Sequence, residues 1–105
     1  MRPALPKDTR LFELRPDALT LETRQCLLPG SLLAFHLVLE GQPLALTLAV
    51  SECLVVNRDR RGYLYHLRLP LADLREGDRN LIALFINKGR GEPGIEPPLR
   101  QRPAQ

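Results

Sequence analysis

The stretch LALTLAVSECLVV, residues 44–56, decides how the chain is read. Leu44, Leu46, Leu48 and Val50 recur at every second position, with Ala45, Thr47, Ala49 and Ser51 between them. A period of two places the larger side chains on one face of a β-strand, because successive strand side chains point to opposite faces. The other face is small and mildly polar, suited to solvent or a light cover. Beyond Ser51 the alternation blurs, as it does where a strand bends or is buried on both faces. The run is therefore expected in the middle of an antiparallel sheet, with the rest of the chain supplying its neighbours and its cover.

Working outward, residues 32–40 set Leu33, Phe35, Leu37 and Leu39 against Ala34, His36, Val38 and Glu40. Gly41-Gln42-Pro43 then closes a hairpin into the central run, and Leu28-Pro29-Gly30-Ser31 is a turn signal ahead of it. Downstream, Arg58-Asp59-Arg60-Arg61-Gly62 reads as a second hairpin tip. It leads into residues 63–69, where Tyr63, Tyr65, Leu67 and Leu69 alternate with Leu64, His66 and Arg68 until Pro70 ends the strand. Toward the N-terminus, residues 10–14 and 18–23 are separated by Arg15-Pro16-Asp17. They are two successive strands or one interrupted strand, since proline cannot donate to a central ladder.

Past residue 73 the period changes. Leu74, Leu81, Ile82, Leu84, Phe85 and Ile86 fall at helical spacings and predict a helix over residues 74–87 with one broad apolar stripe. Asp73 with Glu76 has the capping-box pattern, and Gly89 after Lys88 suits the residue that ends a helix. Gly77 costs about 1 kcal/mol in a helix interior, which puts the firm part from Asp78 onward. Residues 1–9 read as a flexible lead-in. Residues 89–105 are rich in proline and glycine, carry only Ile95 and Leu99 as strongly apolar side chains, and are expected to be disordered. What remains is one domain, residues 10–88. It reads as mainly β: a small antiparallel barrel of five or six strands, covered by one C-terminal α-helix.

Composition narrows the function. With 44% hydrophobic residues in 105, the chain can fill one modest core; no Trp and 5% aromatic content leave Leu and Val to fill it. The same shortage supplies few stacking platforms for single-stranded nucleic acid. The net charge is +3, with both signs interspersed and no block of five like charges. Cys26 and Cys53 are too few for a disulfide scaffold in so short a chain and read as free thiols in a reducing compartment. The opening MRPALPKDTR has no apolar core of a secretory signal, and no run is long enough to cross a membrane, so the cytoplasm is the expected location. There is no Cys-x-x-Cys or His-x-x-x-His pair. Ser31, Ser51, His36 and His66 lack an activating Gly-x-Ser-x-Gly turn, and no glycine-rich phosphate loop occurs. No metal, cofactor or catalytic residue is expected.

The order of these elements resembles the PilZ family, a six-stranded β-barrel followed by a helix. The resemblance is carried by ELRPDALTLE, residues 13–22, by LLPGSLLAFHLVLEGQPLALTLAVSECLVVNRDRRGYLYHLRL, and by PLADLREGDRNLIALFI, and it covers roughly residues 10–88. Family members bind cyclic di-GMP through an Arg-x-x-x-Arg element before the barrel and an Asp/Asn-x-Ser-x-x-Gly motif near the second strand. At the second motif this chain has Glu13 for Asp/Asn, Arg15 for Ser and Ala18 for Gly, and upstream Arg2, Lys7 and Arg10 do not give the first motif's spacing. Forked guanidinium contacts and a close-approach glycine are what such a ligand needs. Cyclic di-GMP is therefore not expected to bind.

The resemblance implies a non-catalytic adaptor or regulatory protein acting through protein contacts, as in type IV pilus assembly or motility signalling. Two alternatives stand beside it. One is a cyclic di-GMP receptor with displaced motifs; the other is a small basic β-barrel that binds nucleic acid. The expected contact residues are Arg58, Arg60 and Arg61 at the hairpin tip, Tyr63 beside them, and Ile82 and Phe85 on the helix. Tyr63 and Tyr65 share the alternation with Leu67 and Leu69 and read as core or barrel-rim residues ahead of exposed recognition groups.

Overall fold

The computed structural model describes residues 5–89 and 91–98. Residues 1–4, 90 and 99–105, and with them Arg2 and Leu99, lie outside the described residues. Seven strands and one helix follow in the order β1 (Arg10–Leu14), β2 (Ala18–Thr23), β3 (Leu32–Leu39), β4 (Gln42–Ala49), β5 (Glu52–Asp59), β6 (Gly62–Pro70), α1 (Glu76–Lys88) and β7 (Gly94–Glu96). They form two antiparallel sheets, β1-β2-β6-β5 and β4-β3-β7. The mainly β reading holds. The barrel does not: among the described residues the two sheets are not joined into a closed ring, and the helix is followed by a strand instead of ending the fold.

The run at residues 44–56 is shared between the sheets. Val50 N–H donates to Ser31 O at 2.8 Å and Gly30 N–H to Val50 O at 2.7 Å, which continues the β3–β4 ladder. One residue later, Ser51 N–H donates to Arg68 O at 2.8 Å, and Glu52 pairs with Arg68 in the other sheet. The blurred alternation after Ser51 is thus a bend into a second sheet. Neither half lies mid-sheet: β4 and β5 are both edge strands. The alternation itself is realised, with Leu46, Leu48 and Val50 buried and Ala45, Thr47 and Ala49 exposed.

The core lies between the sheets. β2 contributes Leu19 and Leu21, β6 contributes Leu67 and Leu69, and β3 contributes Leu33, Phe35 and Leu37; α1 closes it with Ile82. Residues 10–14 and 18–23 are two strands joined by a turn in which Arg15 N–H donates to Ala18 O at 2.9 Å. The β3–β4 hairpin turns at Glu40 (φ 51°) and Gly41 (φ 77°), a pair of left-handed residues that matches the twist of the flanking strands. Pro43, expected in the turn, sits inside β4, where an edge strand tolerates it.

The helix begins at Glu76 with Arg75 as its cap, and no side chain caps it. Asp73 does not close the expected capping box, because Leu74 N–H donates to Leu71 O at 3.1 Å and residues 71–74 make a separate turn. That turn is held by Leu71, which is fully buried, and Leu74, which rests on the core. Gly89 ends the helix as expected, in the left-handed conformation. The tail is not wholly disordered: β7 pairs Ile95 with Leu37, and Ile95 rests on the core. Nor is the lead-in idle, since Leu5 rests on the core and Thr9 Oγ1 donates to Thr23 Oγ1 at 2.9 Å. Burial offered at these few apolar positions outweighs the local proline and glycine content.

Candidate functional site: a groove between an open strand edge and the helix

β4 pairs with β3 on one side only. Two clefts are lined jointly by residues of β4 and of α1 or the turn before it. The first, about 410 Å³, is walled by Leu39, Pro43 and Leu44 on the hairpin and by Leu81, Leu84 and Phe85 on the helix, with Glu40 and Lys88 also lining it. The second, about 480 Å³, lies between residues 44–47 of β4 and Asp73, Leu74, Arg75 and Asp78 near the helix start. Leu44 is common to both, so one groove is apolar at one end and charged at the other.

The apolar end follows from how the helix divides its stripe. Ile82 (0% exposed) and Phe85 (8%) face the core, which removes Ile82 from the expected contact residues and leaves Phe85 only an edge in the cleft. Leu81 and Leu84 are instead more than half exposed, at 53% and 55%. The broad apolar stripe is thus wider than the core can cover. Its uncovered margin, not its centre, is what faces solvent.

The arginine hairpin is exposed as expected, but much of its charge is engaged. Arg24, from the β2–β3 connection, holds Asp59 with both guanidinium nitrogens at 2.8 Å. That contact, with Arg61 N–H donating to Asp59 Oδ1 at 2.9 Å, holds the Asp59 carboxyl below the usual range. Arg61 reaches Asp8 at 3.3 Å, and Arg58 lies 5.6 Å from the centre of the Tyr63 ring, within cation–π reach. Arg60 makes no side-chain hydrogen bond or ion pair among the described residues. Tyr63 is surface, at 47% exposure, while Tyr65 is half-buried.

At the positions resembling the dinucleotide motif, Glu13 and Arg15 pair with each other at 3.0 Å and are exposed, and Ala18 is buried. They flank the turn that joins β1 to β2. On the outer face of the four-stranded sheet, Glu22 accepts from Arg10 Nη2 at 2.7 Å and from His66 Nε2 at 2.9 Å, and the Phe12 ring lies 4.1 Å from that of His66. Burial pushes the Glu22 carboxyl up, but the hydrogen bonds from His66 and Arg10 outweigh it and hold it below the usual range. Sequence reading placed His66 on the polar face without finding this cluster, which becomes visible only once β1, β2 and β6 are paired. His36, on β3, has its Nδ1 buried without a partner. Among the described residues no three His, Cys, Asp or Glu side chains gather as metal ligands, and no helix is long and apolar enough to cross a membrane.

No family model, curated protein or solved structure matches the chain. The groove is therefore judged on its own chemistry. It offers apolar walls where the hairpin meets the helix, and charged side chains near the helix start. Arg58, Arg60, Arg61 and Tyr63 do not line it.

Proposed function

We propose that the chain is a non-catalytic, PilZ-like adaptor or regulatory domain that binds a protein partner in the groove between β4 and α1. The occupant is an extended apolar segment of that partner, added as a strand beside β4. The observation that carries this reading is the cleft that the edge strand β4 shares with the exposed Leu81 and Leu84. Strand addition takes its affinity from main-chain hydrogen bonds and its specificity from pockets for alternate side chains. The apolar cleft supplies such a pocket, and Asp73, Arg75 and Asp78 supply charges for the segment's other end. The place in type IV pilus or motility signalling rests on the sequence resemblance of residues 10–88 alone. The Glu13–Arg15 ion pair and the buried Ala18 weigh against cyclic di-GMP as the ligand.

The test uses the full chain in its native host with a photo-crosslinker at Ala45, an exposed position of β4. A protein partner should crosslink there, be lost with Leu81→Lys/Leu84→Lys, and be retained with Arg60→Glu. Crosslinks indifferent to the two leucines would overturn the groove. Calorimetric binding of cyclic di-GMP tighter than about 10 μM would replace the adaptor reading with the receptor one.

A further inference from the structure

Cys26 and Cys53 are 27 positions apart in sequence, yet their Sγ atoms lie 3.5 Å from each other. Cys26 is exposed in the connection that carries the chain from β2 to β3, and therefore from one sheet to the other. Cys53 is the second residue of β5, half-buried at the rim of the core, where it pairs with Leu67. The meeting is supported by a second tie: Arg24 in the same connection grips Asp59 at the far end of the same strand. Two contacts therefore lay the connection along β5.

We propose that Cys26 and Cys53 are a reversible dithiol–disulfide pair, a modification site that pins the inter-sheet connection to the edge strand β5. A disulfide needs the sulfurs at about 2.05 Å, an approach of about 1.5 Å from where they stand. Residues 24–29 are in neither sheet and can supply that movement. The oxidant is a low-molecular-weight disulfide, RS–SR. The Cys26 thiolate, being exposed, attacks one sulfur of RS–SR; a new S–S bond forms to Cys26 and RS⁻ leaves. The Cys53 thiolate then attacks the Cys26 sulfur, the protein disulfide forms and the second RS⁻ leaves. Two thiol protons are released to solvent and taken up by the two RS⁻, and two electrons pass from the protein to the small disulfide. Burial, aided by the neighbouring Cys26, pushes the Cys53 thiol up against an opposing hydrogen bond from the Leu27 backbone, which makes Cys53 the slower of the two to attack an external disulfide.

The experiment equilibrates the reduced full-length protein with glutathione buffers of increasing oxidised fraction, quenches with an alkylating agent and reads intact mass. The expected product is a monomer lighter by two hydrogens, blocked to alkylation at both cysteines and restored by reductant. Cys53→Ser should stop at a single glutathione adduct on Cys26. Closing this loop should raise the melting temperature by on the order of 10 °C. Wild-type protein that accumulates glutathione adducts, or that links only between molecules, overturns the pair; an unchanged melting temperature in the oxidised monomer overturns the pinning.

Discussion

Leu46 and Thr47 are neighbours in the chain and opposites in environment: Leu46 is 4% exposed and Thr47 faces solvent. Leu46→Asp would place an unpaired carboxylate between the sheets, and its cost of several kcal/mol should prevent folding. Thr47→Asp should change stability by less than about 1 kcal/mol, and circular dichroism with thermal melts separates the two. Glu22 gives a second residue-scale expectation. Its carboxyl is held low in the fold, so as pH falls the unfolded chain binds the proton first and gains on the folded one. The stabilisation is complete above roughly pH 5 and is lost as pH falls through the lower folded value. Glu22→Gln should lower stability at neutral pH by roughly 1–3 kcal/mol and flatten its fall on acidification, measured by denaturant melts across that range.

At the scale of the element, two glycines of one helix should respond in opposite directions. Gly89 takes φ 61° at the helix end, and nothing stands within 4 Å of where its Cβ would be. Gly89→Ala therefore costs backbone strain alone, about 1 kcal/mol. Gly77, inside the first turn and equally open, should gain up to about 1 kcal/mol as Ala, and paired thermal melts check both signs. Elements of this kind were largely legible in the sequence, because period and turn chemistry are local. The Leu/Ala alternation told which side of β4 is buried, and Gly89 told where α1 stops. The helix start was not legible, since Leu71 and Leu74 are drawn into the core and that draw is tertiary. Nor could alternation tell which strand sits beside which. A run that reads as one strand bends at Val50–Ser51 because its two halves have different partners.

For the whole molecule, β7 is the element most at odds with its composition. Ile95 reaches the core from a stretch of glycine and proline, and β7 covers one edge of β3. Ending the chain at Glu92 should lower the melting temperature by several degrees, and Ile95→Asp should reproduce much of that loss. The candidate site was legible only in part. An excess of apolar surface on the helix could be counted from Leu81 to Ile86, but which of these residues face out depends on how α1 crosses the sheets. The groove joins residues from β4 and α1, and the thiol pair joins a loop to an edge strand; both exist only once the chain has closed on itself.

The pairing of β2 with β6 has a bearing on synthesis at the ribosome. Leu21 finds its partner in Leu67, and Ala18 in Pro70, so the four-stranded sheet cannot be assembled until residue 70 has left the exit tunnel. At roughly 5–20 residues per second, the nascent β1–β2 hairpin waits for seconds with Leu19 and Leu21 uncovered. The interval ends only when β6 emerges and sets Leu69 beside Leu19 and Leu67 beside Leu21.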